Sequence, residues 1–147
     1  MKVLFLDIDG VVNCSTTAQR SGYFIGIDPY MALMIDRIIQ ATGCKVVLSS
    51  SWRHFTGGTD EVRNKVCELY DVTPTFAGDL RGTEIEKWLD DHNAKFGGNV
   101  ETEVTRYAIV DDNDDMLPEQ MPNFFKTSWT TGITQEVANN IIAHFNS

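Results

Sequence analysis

Three short apolar runs, Val3-Leu4-Phe5-Leu6, Val46-Val47-Leu48 and Ala108-Ile109-Val110, each stop abruptly in a polar cluster. Runs that are apolar at every position suit strands buried on both faces, and such strands belong to parallel sheets covered by helices. Helical patterns fall between them. Asp28-Pro29 supplies an N-cap and a first-position proline, Met31, Met34, Ile35 and Ile38 follow at helical spacing, and Gly43 is the stop. Thr59 or Asp60 opens a second helix carrying Val62 and Val66. Gly82-Thr83-Glu84-Ile85 opens a third, with Ile85, Trp88 and His92 inward and Gly97-Gly98 closing it. Phe124-Phe125 reads as a short strand, and Thr134 caps a last helix with Val137, Ile141 and Phe145. Strands alternating with helices predict right-handed crossovers and a Rossmann-like three-layer α/β sandwich around a central, mostly parallel sheet.

With 147 residues the chain is long enough for one domain with a substantial core, and residues 1–147 are expected to form it. Hydrophobic residues make up 42% and charged residues 22%, ordinary values for a globular protein, so disorder is not expected. No apolar stretch approaches the roughly 20 residues that span a bilayer, and no leader pattern opens the chain. Cys14, Cys44 and Cys67 show no metal-binding spacing and read as reduced thiols. A cytoplasmic protein without membrane partners is the expectation. The formal charge of -9 opposes strong non-specific binding to nucleic acid, although a nucleic-acid end as substrate stays open.

The polar clusters carry the chemistry. Asp7 and Asp9 follow the first run, and while extended geometry lasts i and i+2 point to one side, so both carboxylates can face one ligand. Gly10 permits a turn or a close phosphate approach. Asp111-Asp112 follow the third run, and crowding them beside another acidic pair favours a divalent cation with hard oxygen ligands, Mg²⁺ above all. Ser49-Ser50-Ser51 and Arg53 follow the second run and offer hydroxyls and a guanidinium to a phosphoryl group; Arg81, just before a helix, offers another. Each cluster has a plainer reading as caps and solvated loop residues. His54 is a loop residue beside a candidate site, and His92, Trp88 and Trp129 read as packing or rim.

The phrases LFLDIDGVVN, VVLSSSWR, RGTEIEKWL and YAIVDDND, in this order, resemble the four motifs of the haloacid dehalogenase (HAD) superfamily of phosphohydrolases. Within it they are most similar to the small phosphatase domain of RNA-repair proteins and of related stand-alone phage and bacterial proteins. The resemblance implies that Asp7 is the nucleophile, forming an aspartyl-phosphate, and that Asp9 is the acid and base for the leaving group and water. It implies Mg²⁺ held by the Asp7 carboxylate, the Asp9 backbone carbonyl and Asp112, with Asp111 a second ligand or a support. Ser50 is the preferred phosphate-binding hydroxyl, with Ser49 and Ser51 as register alternatives. Arg81 stands where the family more often has lysine, and Arg63 is the fallback. Val11 replaces a threonine found in many members.

Large relatives carry an inserted cap domain. Here residues 13–28 leave room only for a flap, so an open site is expected, able to take the phosphorylated end of a macromolecule, or a small phosphate ester gripped partly by the flap and Trp52-Arg53-His54. Two other classes compete with a Mg²⁺-dependent phosphomonoesterase. A non-catalytic binding or regulatory module on this fold would not require an acid at Asp9. A receiver domain needs its phosphorylated aspartate after the middle strand, where this chain has serines.

Overall fold

The structure, a computed structural model, describes residues 1–76, 78 and 80–147. Its centre is a five-stranded sheet ordered β5-β4-β1-β6-β7, formed by β1 (Lys2–Leu6), β4 (Lys45–Leu48), β5 (Asp71–Val72), β6 (Arg106–Asp111) and β7 (Phe124–Lys126). Every pairing in it is parallel. The predicted α/β architecture is therefore present. β1 lies between β4 and β6, with Leu6 opposite both Leu48 and Val110. The chain steps away from β1 in one direction and later returns to its other side, which makes the carboxyl end of β1 a topological switch point where ligands bind in such sheets.

Helices α1 (Pro29–Thr42), α2 (Gly58–Lys65), α3 (Arg81–Phe96) and α4 (Gln135–Asn146) cover the sheet. On one face Leu4, Leu6, Val46, Leu48, Ala108 and Val110 pack with Ile35 and Ile38 of α1, Val62 of α2, and Ile141 and Phe145 of α4. On the other, Val3, Phe5, Val47 and Ile109 pack with Ile85 and Trp88 of α3. This alternation along fully apolar strands explains why they lack polar positions. Phe5 meets Trp88 edge-to-face at 5.4 Å between centroids, and Trp88 stacks on His92 at 4.7 Å. His92 is a packing residue, its Nε2 lying 2.7 Å from Thr102 O.

The caps fall where predicted. Asp28 Oδ1 accepts the N–H of Tyr30 at 2.9 Å, and Gly43 closes α1 in the left-handed conformation. Thr134 Oγ1 accepts Val137 N–H at 3.2 Å. Residues 13–28, expected as an ordered loop or flap, contain a hairpin of β2 (Arg20–Ser21) and β3 (Phe24–Ile25). Gly22, with φ of 60°, takes the first position of its two-residue turn, where an L side chain is strained. The Ser21 hydroxyl bonds the Glu61 carboxylate of α2, and Phe24 stacks on Phe55, which ties the hairpin to the sheet's carboxyl-end rim. Cys14, Cys44 and Cys67 are free thiols. No helix among the described residues is long and apolar enough to cross a membrane.

Candidate active site

The three polar clusters meet on one rim because the parallel ladder continues one residue past the strands. Asp7 N–H donates to Val110 O at 3.1 Å and Ser49 N–H to Leu6 O at 2.9 Å. Asp7, Asp111 and Ser49 thus follow directly on the register partners Leu6, Val110 and Leu48. They continue the row of Phe5, Ile109 and Val47, on the face covered by α3. That face brings Arg81 to them.

Carboxylate oxygens of Asp7, Asp111 and Asp112 all lie within 4.8 Å of one another, the one such acidic group found among the described residues. Arg81 Nη1 donates to Asp7 Oδ1 and to Asp111 Oδ2, both at 3.2 Å. Arg81 is the first residue of α3 and not, as expected from sequence, just outside it. Its own N–H donates to Asp115 Oδ2 at 3.1 Å, so an acidic side chain of the β6 loop caps the helix that presents the guanidinium. Arg63, the fallback, instead pairs with Asp60 on α2 at 3.8 Å.

Burial pushes the Asp7 carboxyl above its usual range; Arg81 opposes that rise and Asp112 adds to it. Asp111 is pushed up further, by burial first and by the Asp7 charge second, again against Arg81. Three crowded carboxylates with one guanidinium are a hard-oxygen donor set short of positive charge, which fits a divalent cation such as Mg²⁺.

Gly10 has φ of 83°, and a Cβ there would lie 2.2 Å from Asp112 Oδ2. Glycine is required here because Asp112 needs that space. Of the two uses expected for Gly10, a turn or a close phosphate approach, its backbone serves the turn: its N–H is taken by Asn13 Oδ1 at 2.9 Å, and its carbonyl accepts Thr127 Oγ1–H at 2.6 Å. These two bonds hold the loop at whose next position Val11 lacks a hydroxyl, and Val11 packs in the core.

Asp9 is held by two residues the sequence reading did not place there. Its Oδ1 accepts Asn13 Nδ2–H at 2.9 Å and Trp52 Nε1–H at 3.0 Å, which leaves Oδ2 free. Asn13 is fully buried and also donates to Gly26 O at 3.0 Å, so one amide links the Asp9 carboxylate, the Gly10 backbone and the end of the hairpin. Nothing in a polar loop sequence marks this residue. Trp52 was expected beside the site as part of a grip on a small ester, but not bonded to Asp9.

Arg53, expected at the phosphate, is directed elsewhere. Its side chain is buried, donating to Glu84 Oε2 and Ser50 O, both at 2.8 Å, because Glu84 of α3 is itself buried and needs a cation. Among the serines, Ser50 Oγ accepts Trp52 N–H at 3.2 Å and so caps the 3-10 turn Ser51–His54. Ser49 Oγ is buried without a partner. Ser51 is exposed. His54 Nε2 lies 3.3 Å from Thr75 Oγ1 at the rim.

An all-parallel α/β sheet whose switch point gathers aspartates from two adjacent strand ends, with an arginine from the helix that precedes β6, has the arrangement of a HAD-type scaffold. The chain belongs to the family described as the HAD domain in Swiss Army Knife RNA repair proteins, whose model matches residues 3–138. Membership implies phosphatase-type chemistry. No curated protein and no solved structure matches the chain.

Proposed function

We propose that the protein is a Mg²⁺-dependent phosphomonoesterase working through an aspartyl-phosphate on Asp7. The observation that carries the reading is the convergence of Asp7, Asp111 and Asp112 within 4.8 Å, bridged by Arg81. Asp7 attacks phosphorus while the bond to the leaving oxygen breaks, and Asp9 gives its proton to that oxygen. Asp9, now ionised, takes a proton from the water that hydrolyses the intermediate and frees Asp7. The two donors on Asp9 Oδ1 support this role, since they fix the carboxyl and leave Oδ2 to carry the proton. Arg81 orients Asp7 and offsets charge on the transferring group.

For the hydroxyl that binds phosphate the geometry favours Ser49 over Ser50. Ser49 sits level with Asp7 and has an unpartnered buried oxygen, whereas the Ser50 oxygen is engaged as a cap. Asp7 and Asp112 would hold Mg²⁺ together with the Asp9 carbonyl. Asp111 has both oxygens already bonded, by Asn113 N–H at 3.0 Å and by Arg81, which suits a supporting ligand. When bound, the ion supplies Lewis-acid stabilisation of the phosphoryl oxygens.

The test is phosphate release from a panel of small esters and of 3′- and 5′-phosphorylated oligonucleotides, with Mg²⁺ and with chelator. Turnover that needs Mg²⁺ and vanishes in Asp7→Asn is expected. Full activity in Asp7→Asn would remove the nucleophile from the account, and inactivity across the panel would leave a non-catalytic binding module.

A further inference from the structure

A cavity of about 920 Å³ opens from the catalytic rim on the side of Asp9, between the β2–β3 hairpin and the turn Ser51–His54. Its walls include Tyr23, Phe24, Trp52, Phe55 and Trp129. Four of these rings are open to solvent: Tyr23 is 102% exposed, Phe24 66%, Phe55 45% and Trp129 42%. Large aromatic side chains left uncovered around a concave site mark a surface that a ligand covers. Phe24 and Phe55 stack on each other, 5° apart at 5.8 Å between centroids, which leaves the outer faces of the pair for a further ring. Trp52 lies against Phe55 at 6.5 Å between centroids, tilted by 55°, and donates to Asp9 Oδ1, so the aromatic surface is bonded directly to the residue proposed to protonate the leaving oxygen. Asp9 itself is one of the lining residues of the cavity.

Charge restricts the occupant further. The described lining carries the carboxylates of Asp9 and Glu61 and no lysine or arginine; His54 is its one basic side chain. Of the arginines around it, Arg53 is committed to Glu84, Arg81 to Asp7 and Asp111, and Arg20 of β2 to the carbonyls of Thr17 and Gln19. A strand of several phosphates would meet no lysine or arginine in the described lining, and strand-binding grooves combine stacking rings with a basic track. The cavity has the rings without the track.

Resting on the phosphomonoesterase reading, we propose that this cleft is the leaving-group subsite and selects a flat, uncharged ring system of nucleoside size carrying a single phosphate. Phe24, Phe55 and Trp129 supply the stacking surface. The hairpin, tied down by Ser21 to Glu61, holds Phe24 in place.

Two measurements separate this proposal from the reading beneath it. The first compares kcat/KM for adenosine 5′- and 3′-monophosphate, ribose 5-phosphate and a 5′-phosphorylated hexanucleotide at low salt, in wild type, Phe24→Ala and Trp129→Ala. The second measures binding of adenosine itself to Asp7→Asn, read by tryptophan fluorescence, with the same two substitutions added. At least one mononucleotide should exceed ribose 5-phosphate by about tenfold, a ratio that each substitution lowers, and adenosine affinity should fall about tenfold with either change. Turnover of ribose 5-phosphate at the mononucleotide rate, with no adenosine binding, would overturn the subsite and leave the phosphatase standing. Preference for the hexanucleotide would overturn the single-phosphate selection. Adenosine binding that depends on Phe24 and Trp129 in a protein that hydrolyses none of these esters would support the subsite and remove the phosphatase.

Discussion

Replacing Asn13 by Asp changes the fewest atoms and the most chemistry. The Asn13 side chain is fully buried; Oδ1 accepts Gly10 N–H at 2.9 Å, and Nδ2 donates to Asp9 Oδ1 at 2.9 Å and to Gly26 O at 3.0 Å. Asn13→Asp keeps the acceptor and turns the double donor into an acceptor facing a carboxylate and a carbonyl. A buried polar group left unpaired costs about 1–3 kcal/mol. Gly26 O loses its partner outright, while Asp9 keeps Trp52, so the expected loss of stability is about 2–4 kcal/mol at neutral pH. The sign with pH is fixed by the new carboxyl. Burial and the Asp9 charge raise its pKa, so as pH falls it takes up a proton and regains one donor. The deficit should therefore shrink towards about pH 5 and grow towards about pH 8. Urea unfolding of both proteins across that range measures it. A deficit under about 0.5 kcal/mol at neutral pH, or one that grows on acidification, would refute the role given to Asn13.

Gly10→Ala forces a left-handed residue to carry a Cβ, which costs about 1–2 kcal/mol, and places that Cβ 2.2 Å from Asp112 Oδ2. Asp112 must move, so Mg²⁺ affinity by titration calorimetry should fall about 10- to 100-fold; unchanged affinity would take Asp112 out of the metal site. Because the Asp111 pKa is raised by burial and by Asp7, its contribution to metal-free stability is present at low pH and lost as pH rises through the raised value. In chelator, wild type should therefore lose thermal stability relative to Asp111→Asn as pH climbs from about 5 to about 8, and Mg²⁺ should reverse the trend by favouring the ionised form. A parallel response of the two proteins would contradict that account. Arg81→Lys keeps the charge but not the placed Nη1 that donates to both Asp7 Oδ1 and Asp111 Oδ2, so kcat should fall; a KM change with kcat intact would mean that Arg81 only attracts substrate.

The strands were legible because burial on both faces removes every polar residue from Val3–Leu6 and Ala108–Val110, and a short apolar run between turn signals has few other uses. Asp28, Gly43 and Thr134 were legible because capping is local chemistry. Asp7, Asp111 and Asp112 converge because a parallel ladder in register carries strand ends to one rim, which alternation along the sequence implies. Arg53 was misdirected for the opposite reason. Its partner Glu84 lies 31 residues away on another element, and no local pattern announces a buried ion pair. The bonds that Asn13 and Trp52 make to Asp9 escaped likewise, since they depend on what these side chains touch and not on what surrounds them in sequence. The two-residue strands of the hairpin are too short for a period-2 signal, and only the Gly22-Tyr23 turn marked them.

The central claim is that Asp7 becomes covalently phosphorylated. Acid-quenching Asp9→Asn during turnover of a phosphate-labelled ester the wild type hydrolyses, then locating the label by peptide mass, tests it most directly, because loss of the base slows release of the intermediate. Label on Asp7, dependent on Mg²⁺ and absent from the Asp7→Asn double variant, is the expected result. Label on another residue, or phosphate release from wild type with oxygen exchange showing direct attack by water and no enzyme-bound label, would contradict it.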